Sequence, residues 1–315
     1  MQYIWDDFIQ KSSNGTIFHY QKFLNYHISR DFNDFSLMFF KGKKLIAVFP
    51  AVKIINKDAL SLISHPGASF GGFIIQNENT DVCKDIITSF LSFCLKQKIN
   101  YLKIVPTPEY YIEYKRNIWK NIFINSQFKI SQQYISHVIY LTKQPIDYFN
   151  QRKKRYIKNK INNPSYSINK INRIHDFYSL LLESKKQFNT SPTHSLEELN
   201  NLIKIFPEKI ITFATFYNQK IIGGMCLFKT TQKTALLFYN VVSLKFKKKH
   251  IGAYQIYHCI KYCIKNKMEL VDLGVSYETK NGDPFVPKIS LMEFKEQCGA
   301  KSVIRNIYTR KMKIN

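Results

Sequence analysis

Several local signatures of catalysis are missing from this sequence. Six cysteines (Cys83, Cys94, Cys226, Cys259, Cys263, Cys298) lie scattered with no C-x-x-C pair, and eight histidines include no H-E-x-x-H. That spacing argues against a zinc site, and reduced, buried thiols are the expectation for the cysteines. No G-x-x-x-x-G-K-[ST] loop is present, which excludes a Walker-type phosphate cradle. No apolar run reaches the roughly 18 to 20 residues that cross a bilayer. The start, "MQYIWDDFIQ", carries acids and no signal-type apolar region, so a cytoplasmic location is expected. Negative charge is scarce as well: 22 Asp and Glu stand against 47 Lys and Arg, a net charge of +25. Abundant Lys, Ile, Asn, Phe and Tyr are what A/T-rich codons supply. The remaining field would still attract nucleotides, tRNA, sugar phosphates or an anionic membrane surface.

What is present is a large apolar fraction, 45% of 315 residues with 15% aromatic, enough for two ordinary domains. One order of elements appears twice. In the first half, "FSLMFFKGKKLIAVFPAVKII" is two apolar runs around Lys41–Lys44, a hairpin signal. The glycine-rich "SHPGASFGGFII" follows. The helix pattern "TDVCKDIITSFLSFCLKQKI" then opens on a Thr or Asp cap and aligns Val82, Ile86, Ile87, Phe90, Leu91, Cys94 and Leu95. "NYLKIVPTP" closes as a strand. In the second half, "IITFATFYNQKIIGGMCLFKT" is again a hairpin and "TALLFYNVVS" a strand. Gly252–Lys267 forms a helix, and "MELVDLGVS" closes. The offset is about 170 residues. The reading is a mixed α/β chain with domains at 1–150 and 151–315.

Between the halves, "QRKKRYIKNKINNPSYSINK" begins as a basic helical pattern with Tyr156, Ile157 and Ile161 apolar. It reads either as a solvated amphipathic helix or as one facing an anion. Two helices follow, the second with Ser195 as cap and Glu198 three residues on. The loop "KFKKKHIG" leads from the strand into the second-half helix. Its lysines are either solvated or turned toward phosphate.

The segments "NGTIFHYQKFLNYH", "KLIAVFPA", "SHPGASFGG", "PTP" before Tyr110-Tyr111, "PTHSLEEL", "VDLGVSYE" and "FKEQCGAK" occur in the order seen in FemAB-like proteins. The chain resembles this branch of the GNAT acyltransferase superfamily over almost its whole length. The resemblance implies two tandem GNAT-like domains, each a mixed sheet flanked by helices. It also implies transfer of an acyl group such as acetyl from acyl-CoA to an amine, with an amino sugar or a surface-glycan precursor as acceptor. Aminoacyl-tRNA is the alternative donor, as in peptidoglycan-bridge enzymes, and a non-catalytic RNA- or glycan-precursor-binding protein is a further alternative. Direct transfer needs no nucleophile or metal, only proximity, a base and an oxyanion donor.

The resemblance also assigns candidate residues. Acyl-CoA-using relatives hold pyrophosphate on an [QR]-x-x-G-x-[GA] loop at a helix N-terminus. Here Lys248, Lys249, His250, Ile251, Gly252 and Ala253 occupy that stretch, with lysine at the first position and Tyr254 where a small residue is usual. Asp272 and Gly274 match a strand-end segment. Lys295 matches a lysine that would face an oxyanion or an acceptor phosphate, next to Cys298 where an aromatic is usual. Glu278, just past the strand end, is the candidate base. His65 and Phe70 sit in a glycine-rich loop that is either an acceptor-lining segment or a tight turn. Arg152, Arg155 and Arg305 are candidates to clamp an acceptor phosphate or carboxylate.

Overall fold

The computed structural model describes residues 2–56, 59–76, 79–112, 118–187, 189–280 and 283–313. The chain folds as two compact units, residues 1–134 with 305–315 and residues 135–304.

In the first unit, helix α1 (Gln2–Gln10) buries Trp5, Phe8 and Ile9 against Val48 and Ile74. Helix α2 (Gln21–Leu24) is a single turn. Strands β1 (Leu37–Lys41) and β2 (Lys44–Phe49) form the expected hairpin, with Gly42 at φ +60° in its turn. Pro50 ends the run by removing a ladder donor. Strand β3 (Ala51–Asn56) thus continues in a different sheet, antiparallel to β4 (Ala59–Ser64), while β2 pairs with the short β5 (Ile74–Ile75). Helix α3 (Thr80–Lys96) is capped by Asn79, one residue ahead of the expected cap, and Asn79 accepts from the amides of Asp81 and Val82. Its buried stripe is Cys83, Ile86, Ile87, Phe90 and Cys94, and Leu95 turns outward. The helix carries the chain over to β6 (Tyr101–Ile104), which lies parallel to β4. Helix α4 (Ile118–Asn125) follows.

The second unit repeats that order. Strand β7 (Lys129–Tyr140) leads into helix α5 (Gln151–Ile161) and strand β8 (Tyr166–Ile171). Helices α6 (His175–Lys186) and α7 (Leu196–Ile205) follow, α7 with the anticipated Ser195/Glu198 capping box. Antiparallel β9 (Ile210–Tyr217), β10 (Lys220–Lys229) and β11 (Thr234–Val242) come next. Helix α8 (Ile251–Lys265) crosses to β12 (Leu270–Val275), parallel to β11. A hairpin, β13 (Tyr277–Lys280) and β14 (Asp283–Pro287), then helix α9 (Ile289–Gln297) and strand β15 (Lys301–Lys311) complete the chain.

Two adjacent glycines show how this sheet is covered. A Cβ on Gly223 would sit 2.6 Å from Gln255 of α8, and one on Gly224 would sit 2.6 Å from Phe177 of α6. Successive strand residues face opposite ways, so α8 and α6 lie on opposite faces. The α8 side is the main core, with Ala253, Ile256, Cys259, Ile260 and Cys263 packed on Met225, Leu227 and Val271. The anticipated repeat is therefore present, with one exchange. Strand β7, which follows α4, pairs with β12 of the second unit, and β15, which follows α9, pairs with β6 of the first. Among the described residues no helix is long and apolar enough to cross a membrane.

Candidate active site

Strands β11 and β12 form a fork. They pair only from Thr234↔Leu270 to Leu236↔Asp272, although β11 runs on to Val242 and β12 to Val275. In the first unit β4 and β6 pair from Ser61↔Tyr101 to Ile63↔Lys103, and the parallel bridge beyond them, Gly71↔Pro106, is made by the segment that follows β4. At the fork, β12 bulges against β7 between Asp272 and Val275, and Gly274 adopts φ +74° with nothing within 4 Å of a would-be Cβ. Backbone conformation alone requires glycine there.

The bulge is held by buried polar groups. Asp272, fully buried, accepts from Ser136 Oγ at 3.0 Å and from the Gly274 amide at 2.6 Å. Lys295 Nζ donates to the carbonyls of Gly274 at 2.8 Å and Val275 at 3.0 Å. Burial lowers its pKa from 10.5 to about 8, with Asp272 pulling the other way. His137, also fully buried, contacts Ser276 Oγ through Nδ1 at 3.1 Å and Ser302 Oγ through Nε2 at 3.3 Å. Burial, with a smaller contribution from Lys295, lowers its pKa and keeps it neutral. The sequence brought Asp272, Gly274 and Lys295 forward and missed Ser276, which stands in the same "VDLGVSYE" segment, and His137 and Ser136, which share no motif with them.

At the open end of β11, a 3₁₀ turn (Leu244–Lys249) replaces the expected loop and exposes Lys245, Lys247, Lys248 and Lys249. His250, at φ 56°, begins α8 without a side-chain cap, whereas α3, α5 and α7 are capped by Asn79, Asn150 and Ser195. The first amides of α8 therefore point outward with the positive end of its dipole. Helix α5 packs here. Tyr156 stacks on His250 at 4.0 Å, and Lys153 Nζ lies 3.3 Å from His250 Nδ1. The buried face of α5 is Lys153, Ile157 and Lys160, not the expected Tyr156, Ile157 and Ile161, and Ile161 is exposed. The i, i+4, i+7 spacing of 153, 157 and 160 was visible, but lysine at two of the positions hid it. Burial lowers the pKa of Lys153 and of Lys160, and for Lys160 nearby Lys249 adds to the effect. Arg155, then Arg152, hydrogen-bond the Tyr156 phenol and lower its pKa.

Other features of the loop region differ from expectation. Gly252 has an ordinary helical φ, and a Cβ there would meet Phe294 at 3.4 Å and Asn240 at 3.7 Å, both ordinary contacts. Tyr254 is buried in the core rather than standing over the helix end, and Ile251 and Ala253 are fully buried as well. Asn240 of β11, unremarked in the sequence, donates from Nδ2 to the Gly252 carbonyl at 3.3 Å. Its Oδ1 is enclosed and has no hydrogen-bond partner among the described residues.

The remaining candidates lie elsewhere. Glu278 on β13 pairs with Lys288 at 3.1 Å, both partly exposed. His65 and Phe70 belong to the first unit. Phe70 is fully buried between Phe18 and Tyr111, which makes it a core residue. His65 accepts from the Gly67 amide at 3.2 Å, and burial lowers its pKa to about 4. Arg305 covers the Phe70 ring at 4.3 Å and donates to Ser69 O at 3.2 Å. Gly67–Gly71 reads G-x-S-x-G, but the segment lies between β4 and β5 rather than between a strand and a helix, so it is no nucleophile elbow. Among the described residues no three His, Cys, Asp or Glu side chains are grouped to hold a metal.

No protein-family model and no curated protein matches this sequence. Solved structures do. FemX aligns over 99% of this chain and 96% of its own, with a TM-score of 0.75 at 11% identity. A conserved protein of unknown function from Bacteroides thetaiotaomicron aligns over 99% and 96%, with a TM-score of 0.61 at 13% identity. L-PGS from Bacillus licheniformis aligns over 98% and 91%, with a TM-score of 0.58 at 12% identity. The fold expected from the FemAB resemblance is the fold found.

Proposed function

We propose that the second unit is an acyltransferase that moves an acyl group from acyl-CoA to an amine by direct attack. The observation that carries this reading is the fork, because it joins a slot between two parallel strands to an uncapped, basic helix end. In this reading the donor's phosphates rest on the amides of Ile251, Gly252 and Ala253. Lys248, Lys249, Arg152 and Arg155 supply the charge, whereas burial and then Lys153 lower the pKa of His250, which serves as a neutral hydrogen-bonding group. The donor's amide-bearing arm runs along β11, where the unmatched Asn240 Oδ1 accepts one of its N–H groups.

The thioester carbonyl then lies at the fork. The amine nitrogen attacks it, a C–N bond forms, and the C–S bond breaks as the thiolate leaves. Glu278, paired with Lys288, takes the proton the nitrogen loses. Lys295 brings cationic charge to the developing oxyanion while fixing the bulge. Asp272 positions that bulge. No enzyme thiol takes part: burial pushes Cys226 and Cys298 up to about 12, far from thiolate at neutral pH. An amino sugar or glycan precursor fits as acceptor. The exposed lysines of the 3₁₀ turn support a second reading, in which an aminoacyl-tRNA acceptor stem lies on the same basic surface.

Thermal melts with acetyl-CoA, CoA and deacylated tRNA separate the two. A ligand at about 100 times its Kd adds about 2.7 kcal/mol, a shift of several degrees. A shift with acetyl-CoA and CoA, reduced in Asn240→Leu, supports acyl-CoA. A shift with tRNA alone supports the second reading, and no shift with any of the three overturns both.

A further inference from the structure

The second unit carries a groove that the acyl-transfer reading leaves unused. Strand β8 is an outer strand of its sheet and pairs with β9 alone among the described residues. Asn169 lies opposite Ala214, and Ala214 opposite Gly224, so the three form one cross-strand row on the face that α6 covers. Ser167 and Phe216 are the next pair on that face, toward the turn between β9 and β10, and there the groove opens. Its volume is about 510 Å³, within the range of about 300–1,000 Å³ usual for small-molecule sites.

The lining is mostly polar and carries no charge. Ser167, Asn169 and Phe216 contribute from the sheet face, while Ser165, Asn218 and Gln219 contribute from the chain ends beside it, next to Pro164. In a chain of net charge +25, a site for an anion would have cations at hand, yet none lines this groove. Lys170 falls on the opposite face, paired with Phe213. Asn169 Nδ2 donates to Ser167 Oγ at 3.5 Å, and the side chains of Ser165, Asn218 and Gln219 hydrogen-bond no other group among the described residues. The turn holds Asn218 at φ +46° and Gln219 at φ +65°. A two-residue hairpin turn of this kind favours Asn followed by Gly, because glycine meets no Cβ penalty there. Asn218 follows that preference and Gln219 breaks it, which keeps a long amide at the groove against the preference of the backbone.

We propose that this groove binds a sugar ring of an uncharged glycan. A pyranose offers C–H bonds on its faces and hydroxyls around its edge. The half-buried Phe216 ring receives the apolar face. The side-chain amides and hydroxyls both donate and accept, as sugar hydroxyls do. The volume suits about one or two rings. Strands β9 and β10 separate β8 from β11, a distance of about 14 Å, and the groove is on the face opposite α8. It is therefore a separate site from the fork, and the proposal is independent of the acyl-transfer reading.

An NMR titration of the ¹⁵N-labelled full chain tests this without any acyl donor. The readouts are the side-chain amide signals of Asn169 and Gln219, assigned through Asn169→Ala and Gln219→Gly. Cellobiose and di-N-acetylchitobiose are the probes, the second adding acetamido groups. A short capped peptide without charge is the comparison, because β8 also offers an open strand edge. The expected result is a saturable shift of both signals with at least one disaccharide, and the tighter of the two says whether the acetamido group is read. Gln219→Gly should weaken that binding several-fold while the melting temperature stays level or rises, since glycine suits the turn. Weaker binding then cannot come from a lost fold. Asn169→Ala should weaken binding to a similar degree. No saturable shift with either disaccharide, unchanged affinity in either variant, or a response to the peptide alone would each overturn the proposal.

Discussion

Replacing Lys295 with methionine tests the account of the β12 bulge, and its effect should depend on pH. In the folded protein Lys295 is 6% exposed, and its ammonium donates to the Gly274 and Val275 carbonyls at 2.8 and 3.0 Å. Burial lowers its pKa from 10.5 to about 8. The unfolded chain holds this proton up to about 10.4, and the folded chain releases it near 8. Between those values the unfolded state binds more protons, so raising the pH favours the folded state. The gain is absent below pH 8 and complete near 10.5, and from pH 7 to 9.5 it amounts to about 2 kcal/mol. Methionine fills a similar volume but leaves two carbonyls without donors, at about 1–3 kcal/mol each. It also removes a buried charge whose cost is about 3 kcal/mol. At pH 7 these opposing effects should keep Lys295→Met within about 3 kcal/mol of the parent. At pH 9.5 the parent has gained and the variant has not, so the gap should widen by about 2 kcal/mol. Urea denaturation of both proteins at the two pH values measures this, and differencing cancels the other titrating lysines. A gap that does not change with pH would refute the desolvation argument.

Gly274→Ala should cost about 1 kcal/mol from its positive φ alone, whereas Gly299→Ala should cost clearly more, since its Cβ would also collide with the Tyr148 carbonyl; paired melting curves rank them. All six cysteines are buried, and burial pushes Cys94, Cys226 and Cys298 up to about 12. Native protein at pH 8 should therefore resist iodoacetamide while denatured protein takes up six equivalents by mass, and fast native labelling of any of the three would contradict their burial. Glu278→Gln should change stability by no more than about 1 kcal/mol, because its ion pair is partly exposed, yet lower kcat at least tenfold if the carboxylate accepts the amine's proton. An unchanged kcat assigns the proton elsewhere.

The parts of this fold that local chemistry writes were readable. The Ser195/Glu198 capping box, the stripe on α3, the two hairpins and the repeated order of helix and strand depend on residues a few positions apart. The rest depends on partners far along the chain. Pairing β15 with β6 joins Tyr308 to Ile104, and no periodicity announces that. The fork is of the same kind. Nothing local in β11 says that its ladder to β12 stops at Leu236, and the only nearby sign is Gly274, whose meaning emerges once its φ of +74° and the two carbonyls on Lys295 are seen together. The α5 helix shows a third limit. Reading hydrophobicity put the buried face one step off, because Lys153 and Lys160 are buried by their aliphatic stems and by Phe294, Tyr156 and Tyr166 around their ammonium groups. A long cationic side chain can fill a core position when rings surround its charge, so a face rich in lysine is not thereby a solvated one. Here that face sets the basic helix against the uncapped end of α8, where the sequence had offered only the choice between a solvated turn and a phosphate-facing loop.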